Sequence, residues 1–178
     1  MGRNLARDAL GAALLRLMIP ILALSVALFL DVTSAHAQNQ SAPQCRDDLA
    51  IVSQNGQLSQ FNVEIADTPA ARAQGLMGRP HMPSSAGMLF VYPTARDVSF
   101  WMHDTLLGLD IIYIDAAGRV VHIARNAKPM DDTPLPSGAP VQFVLEINGG
   151  LAARLGIKEG ALLAHPRIDQ ARAAFPCP

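Results

Sequence analysis

Residues 100–105, Phe-Trp-Met-His-Asp-Thr, set an indole, a thioether, an imidazole, a carboxylate and a hydroxyl side by side. Thioethers with imidazole suit Cu(I), and Met77, His81, Met82, Met88, Met102 and His103 gather in the same part of the chain. In an extended strand, however, neighbouring side chains point to opposite faces. Val98, Phe100 and Met102 then share one face, and Ser99, Trp101 and His103 the other, so Met102 cannot join Trp101 and His103 on one ion. Met77 falls on the apolar face of an expected helix, and Met88 opens a buried-looking strand. Methionine at such spacing fills core gaps, which leaves His81 and Met82 as the remnant of a Cu(I)-carrier reading. The scattered histidines have no zinc-ligand spacing, and no metal or cofactor is assigned.

Catalytic patterns are thin. There is no G-x-S-x-G elbow, reactive cysteine or phosphate loop. His103 and Asp104 are adjacent and therefore face apart, which is not a dyad geometry. Paired carboxylates such as Glu64 and Glu146 would suit hydrolysis of an envelope polysaccharide, a reaction that needs two carboxyl groups at a defined separation. The plainer reading of both is a solvated strand face.

The same residues read more simply as a binding surface. Trp101 and His103 on one face, beside Arg72 and Arg79 from a neighbouring helix and with Asp104 and Glu146 nearby, would make a shallow polar and aromatic patch. An indole suits stacking on a sugar ring or a peptide side chain, and arginine suits carboxylate or phosphate. The competing structural roles are a buried tryptophan and an Arg79 salt bridge to Glu64 or Asp110.

The elements that must position these groups begin after a leader. Arg3, Arg7 and Arg16 precede an uncharged apolar run at 17–30, and Ala35-His36-Ala37 forms an A-x-A cleavage site, so residues 1–37 read as a secretory signal. The run is short for a membrane span, which needs about 20 residues. Cys45 is not placed as a lipoprotein cysteine. Residues 38–48 are expected to be a flexible arm, and 49–178 a single domain. The whole chain has a formal net charge of −1 and no basic stripe, which argues against nucleic acid as a partner. Its two cysteines, Cys45 and Cys177, flank the mature domain, and in an oxidising compartment they are expected to form a disulfide.

Strand signals dominate that domain. Leu49–Ser53 and Phe61–Ala66 flank Asn55-Gly56, a strong hairpin signal. Thr68, Pro69 and Gly78 mark the start and stop of a helix, on which Ala70, Ala73 and Met77 share one face and Arg72 and Arg79 share a side. Further strands are expected at 87–92, 97–102, 109–115, 118–125, 141–147 and 161–165, with a second short helix after Asn148 ending at Gly156. In the 141–147 strand, Val141, Phe143, Leu145 and Ile147 alternate with Gln142 and Glu146, which places the latter two on the other face. Residues 126–140 form a long proline-punctuated connection. Seven or eight strands with two short helices predict a mainly antiparallel β-sandwich or partly closed barrel.

In order along the chain, VEIADTPAARAQGLMGR, GMLFVY, FWMHDT, LDIIYID and VLEINGGLAARLGIKEG resemble the DUF192 family of small bacterial and archaeal domains. The resemblance covers about residues 59–165. It implies a compact β-sandwich with short helices, and it implies no activity, because the family has none assigned. One departure stands out: the family's usual run after Phe-Trp-Met is Lys-Asn-Thr, where this chain has His103 and Asp104. The resulting expectation is a monomeric periplasmic or secreted module that binds a small molecule, glycan or envelope protein, meeting the membrane only during export. The hydrolase and the Cu(I) carrier stand as alternatives.

Overall fold

The computed structural model describes residues 44–177. The expected signal segment, 1–37, and the first part of the expected arm, 38–43, lie outside the described residues. Among those described, the strands are β1 (Leu49–Gln54), β2 (Gln57–Ala66), β3 (Ala86–Arg96), β4 (Ser99–Phe100), β5 (Leu109–Ile114), β6 (Val120–Ala127), β7 (Leu135–Pro136), β8 (Val141–Asn148) and β9 (Leu162–Ala164). Two short helices accompany them, α1 (Pro69–Gln74) and α2 (Leu151–Arg154). Seven strands form one sheet in the order β6-β5-β8-β3-β2-β1-β9, curled into a half-barrel, and β4 pairs with β7 separately.

Local chemistry explains the connections. Asn55 and Gly56 both have positive φ, 52° and 82°, as a two-residue hairpin turn of the favoured hand requires, and Gln54 lies opposite Gln57. The pair β2 and β3 is parallel, with Asn62 opposite Ala86, because the intervening chain carries α1 across as a crossover. Thr68 caps α1 by accepting from the Ala71 amide at 3.1 Å, and Pro69 takes the first helical position. The helix stops at Gly75, not at the expected Gly78. Gly75 has φ 48°, and a Cβ there would stand 3.3 Å from the Phe90 ring. Met77 and Arg79 therefore lie beyond the helix, and Arg72 and Arg79 do not share a helical side.

Both faces of the sheet are covered. On one, Ala50, Val52, Phe61, Leu89, Ile112 and Leu145 pack with Leu151 and Ile157. On the other, Met88, Phe90, Ile111, Tyr113 and Val144 pack under Leu76, Met82 and Met102. Every residue of β5 is buried, the signature of a strand enclosed on two sides. Strand β8 lies between β5 and β3 and is enclosed with them. This overturns the solvated-face placement of Glu146, which is buried at 4% exposure.

Buried Asp110 ties the fold together, accepting from the amides of Asn126, Gly150 and Ala152 at 2.7, 3.0 and 2.8 Å. It thereby supplies α2 with the cap that Gly150, which has no side chain, cannot. At the domain ends the Cys45–Cys177 disulfide is formed, with Cα atoms 5.6 Å apart. Across a loop of that span the chain-entropy model gives about 4 to 5 kcal/mol as an upper figure. Arg167 grips the Asp47 carboxylate through Nε and Nη2 at 2.5 and 2.7 Å. Residues 44–48 are thus fastened by a covalent bond and an ion pair. No helix among the described residues is long and apolar enough to cross a membrane.

Candidate functional site

A pocket of about 200 Å³ opens on the second face, where α1 and the 99–105 segment lean over β3 and β8. Its charged groups are Arg72 from α1 and Glu146 from β8, and its aromatic walls are Phe90, Tyr92, Phe100 and Trp101. Strand alternation explains the grouping. Met88, Phe90 and Tyr92 point to one face of β3, and register sets Met88 beside Glu146, which in turn is beside Ile111 of β5. The aromatic wall is keyed edge to face, with Phe90 and Phe100 centroids 4.9 Å apart at 85°. Phe100 continues onto Tyr113 at 5.9 Å, and the Tyr113 hydroxyl donates to the Leu135 carbonyl at 2.5 Å.

Glu146 is the anomaly. Its Oε2 is buried and has no hydrogen-bond partner among the described residues. Burial pushes its carboxyl pKa up to about 8, because an ion removed from water with no partner is strongly disfavoured. The same burial raises the Tyr113 hydroxyl, and the Glu146 charge adds to that rise. Tyr92 is raised by burial and pulled back by Arg72 and Arg96.

Among the described residues Arg72 is held without a carboxylate. Its Nη1 donates to the Asp67 carbonyl at 2.5 Å and the Val91 carbonyl at 2.9 Å, and its guanidinium carbon sits 5.0 Å from the Tyr92 ring centroid. Two backbone anchors and a cation–π contact fix the group at the pocket wall while leaving its charge unneutralised.

The segment from 100 to 105 divides as its alternation predicts. Met102 is buried at 1% exposure and Trp101 is 51% exposed, with the Trp101 and His103 rings stacked at 5.0 Å. His103 is turned away from the pocket lining. Its Nδ1 lies 2.9 Å from Asp132 and its Nε2 3.5 Å from Asp104, and the Asp132 hydrogen bond, then Asp104, raise its pKa. Backbone bonds lace this rim together: Gly78 to Asp104 at 2.8 Å, Met102 to Asp131 at 2.9 Å and Met130 to Thr105 at 3.1 Å. The 126–140 connection is thereby pinned beside the pocket.

Of the six residues read from sequence as one patch, three converge. Arg72, Trp101 and Glu146 line the pocket. Asp104 instead lines a neighbouring shallow recess with Leu106 and Met130, which shares Gln74 and Met77 with the pocket. Arg79 forms a two-pronged ion pair with Glu64, Nη2 to Oε2 at 2.9 Å and Nη1 to Oε1. That pair holds the Glu64 carboxyl below its ordinary range. Met82 and Met88 are core residues, and His81 is exposed. Among the described residues, no three His, Cys, Asp or Glu side chains are grouped to hold a metal ion. Tyr92, Phe90 and Phe100 went unread as site residues, although the period-2 pattern of GMLFVY already set Met88, Phe90 and Tyr92 on one face.

Residues 50–165 match the family model DUF192, an uncharacterized group. A UPF0127 protein of Thermococcus kodakarensis is 29% identical over 116 residues, 64% of this chain and 71% of that protein. Two solved structures are similar. One is a protein of unknown function from Novosphingobium aromaticivorans, 41% identical with TM-score 0.64, covering 71% of this chain and 95% of that one. The other, from Sinorhizobium meliloti and described as a candidate transcription regulator, is 35% identical with TM-score 0.65, covering 68% and 95%. The chain belongs to the DUF192 family.

Proposed function

We propose that this DUF192 domain is a ligand-binding module of the cell envelope, and that its ligand is a small molecule seated on Glu146. One observation carries the reading: a buried carboxyl oxygen of Glu146 at the wall of an open pocket has no hydrogen-bond partner among the described residues. A polar group left so costs about 1 to 3 kcal/mol, more if charged, and a bound hydrogen-bond donor removes that cost. The pocket sets four aromatic side chains beside polar and charged groups that include Arg72 and Glu146, the combination of wall and orienting groups found in small-molecule sites. At about 200 Å³ it falls below the roughly 300 to 1,000 Å³ of drug-sized sites, so the ligand is compact.

Export is part of the proposal. The Cys45–Cys177 disulfide suits a periplasmic or secreted protein, in keeping with the leader read at 1–37. Mass spectrometry of the protein recovered from a periplasmic fraction should find a mature N-terminus at Gln38; a full-length chain confined to the cytoplasm would refute this part. The hydrolase alternative needs a second carboxylate, and the pocket lining offers Glu146 alone. Glu64 is already engaged by Arg79.

Trp101 is the chain's single tryptophan, so its emission reports on the pocket directly. A mixed fragment library should contain members that shift Trp101 emission in the wild type and fail to do so with Glu146→Leu. If no member shifts it, or if the shifts survive Glu146→Leu in a folded protein, the reading is wrong.

A further inference from the structure

The chemistry of the two charged groups narrows the ligand, on the premise that the pocket binds one. We propose that the pocket takes a free, amino-acid-sized zwitterion with an apolar body, its ammonium on Glu146 and its carboxylate on Arg72.

Both groups lack a partner for their outward-facing atoms among the described residues. Arg72 spends Nη1 on two backbone carbonyls and forms no ion pair among the described residues, which leaves the rest of a planar fork suited to a carboxylate. Glu146 Oε2 has no donor among the described residues. Although both line one pocket, Arg72 and Glu146 do not pair with each other. Tyr92 lies beneath the guanidinium and lines the same pocket as both groups.

Single-charge ligands fit less well. A simple cation would satisfy Glu146 but face the Arg72 charge. A simple anion would satisfy Arg72 and leave Glu146 orphaned. A ligand carrying both charges answers each group at once, and the remaining wall of Leu76, Phe90, Phe100 and Trp101 takes an aliphatic side chain. The pocket volume limits the whole to about the size of one amino acid.

Protonation adds a signature. The titratable and charged groups around Glu146 are Arg72 of α1, which lines the same pocket, and Tyr92 of β3 and Tyr113 of β5, whose hydroxyls burial and its charge raise; both tyrosine hydroxyls titrate above their ordinary range and stay neutral below pH 8. Glu146 is protonated when the pocket is empty at pH 6.5, so docking an ammonium there should release a proton from it. Affinity should accordingly rise by up to about tenfold per pH unit between pH 5.5 and 7.5.

The test uses three probes of one skeleton: leucine, its amine 3-methylbutylamine and its acid 4-methylpentanoate. They are read by Trp101 emission, and by titration calorimetry at pH 6.5 in two buffers of different ionisation enthalpy. Leucine should bind at least about tenfold tighter than either half and release roughly one proton. Glu146→Gln should abolish the release and cost at least tenfold in leucine affinity. Arg72→Met should bring leucine down to the amine's level, and Arg72→Lys, which keeps a cation, should retain part of the difference. Equal binding of leucine and one of its halves, or proton uptake on binding, would overturn the zwitterion. If fragments shift Trp101 emission while leucine gains nothing over its halves, the zwitterion falls and the binding reading stands. If neither fragments nor probes shift it, both fall.

Discussion

Glu146→Gln isolates the cost of a buried acid in this fold. An acid whose pKa is about 8 in the folded domain, against an ordinary 4.5, keeps its proton on folding through the intervening pH range. The folded state there binds more protons than the unfolded one, so the group's contribution to stability falls as pH rises from about 4.5 to about 8 and is flat outside that window. At 1.36 kcal/mol per pH unit the full interval is worth roughly 5 kcal/mol. That is a ceiling, since water entering the pocket would solvate the ion. Glutamine has nearly the same shape and no charge, so it removes this slope and leaves the packing of Phe90, Val144 and Tyr113 in place.

The assay is urea unfolding of both proteins at several pH values, compared as a difference so that every other titrating group cancels. Near pH 5 the two should agree within about 1 kcal/mol, the variant lacking only a neutral hydroxyl donor. By pH 8.5 the variant should be the more stable, by as much as roughly 5 kcal/mol, a large share of the 5 to 15 kcal/mol total of an ordinary domain. A difference that stays flat from pH 5 to 8.5 would refute the burial argument, and with it the reason for treating Glu146 as waiting for a ligand.

Three further outcomes follow from the contacts. Asp110→Asn trades an acceptor of three backbone amides for a side chain that must aim a donor at one of them, so it should cost about 3 kcal/mol in urea unfolding; a loss under about 1 kcal/mol would remove Asp110 as the cap of α2. Arg79→Ala breaks the exposed pair with Glu64 and should cost no more than about 1 kcal/mol, with unchanged fragment shifts of Trp101; lost shifts would return Arg79 to the site. For His103 the raised pKa means that its stabilising pairing is complete below pH 6.5 and lost as pH rises through the folded value. Imidazole NMR titration should therefore place it above 6.5 and Asp132→Asn should lower it, whereas an unmoved midpoint would deny that contact.

Much of the fold was legible because its signals are local. Asn55-Gly56 fixed a turn, Thr68-Pro69 opened a helix, and the alternation in 98–103 put Met102 inside and Trp101 outside. Alternation failed at Glu146 for a physical reason. It sorts a strand into two faces but does not say whether the second face meets water. The hint was present in Ile111–Ile114, an apolar and aromatic run that occupies both faces of its strand, and in Val144, an apolar residue between Gln142 and Glu146. Long-range features had no local signal: that Arg79 would reach Glu64, and that Arg72 would be anchored by the Val91 carbonyl, depend on the crossover that brings α1 over β3. The end of α1 was misplaced because two glycines compete as the stop, and the choice fell to Gly75 through its packing against Phe90.

The departure from the family pattern at His103 and Asp104 takes on a different weight in three dimensions. If the chemistry of the fold required the side chain of residue 103 inside the pocket, the exchange of lysine for histidine would change that chemistry. Here His103 stacks on the outer side of Trp101 and is tied to Asp132, and Asp104 lies in the adjoining recess. The pocket's cation is Arg72 and its acid is Glu146, which come from α1 and β8, elements far from residue 103 in sequence. Exchange at 103–104 thus alters how the rim is latched to the 126–140 connection and leaves the two opposed charges of the pocket intact. Of residues 100–105, Phe100, Trp101 and Thr105 line the pocket and Met102 is core, and the group that asks for a ligand is Glu146 of β8, expected in the patch on a solvated strand face and found buried.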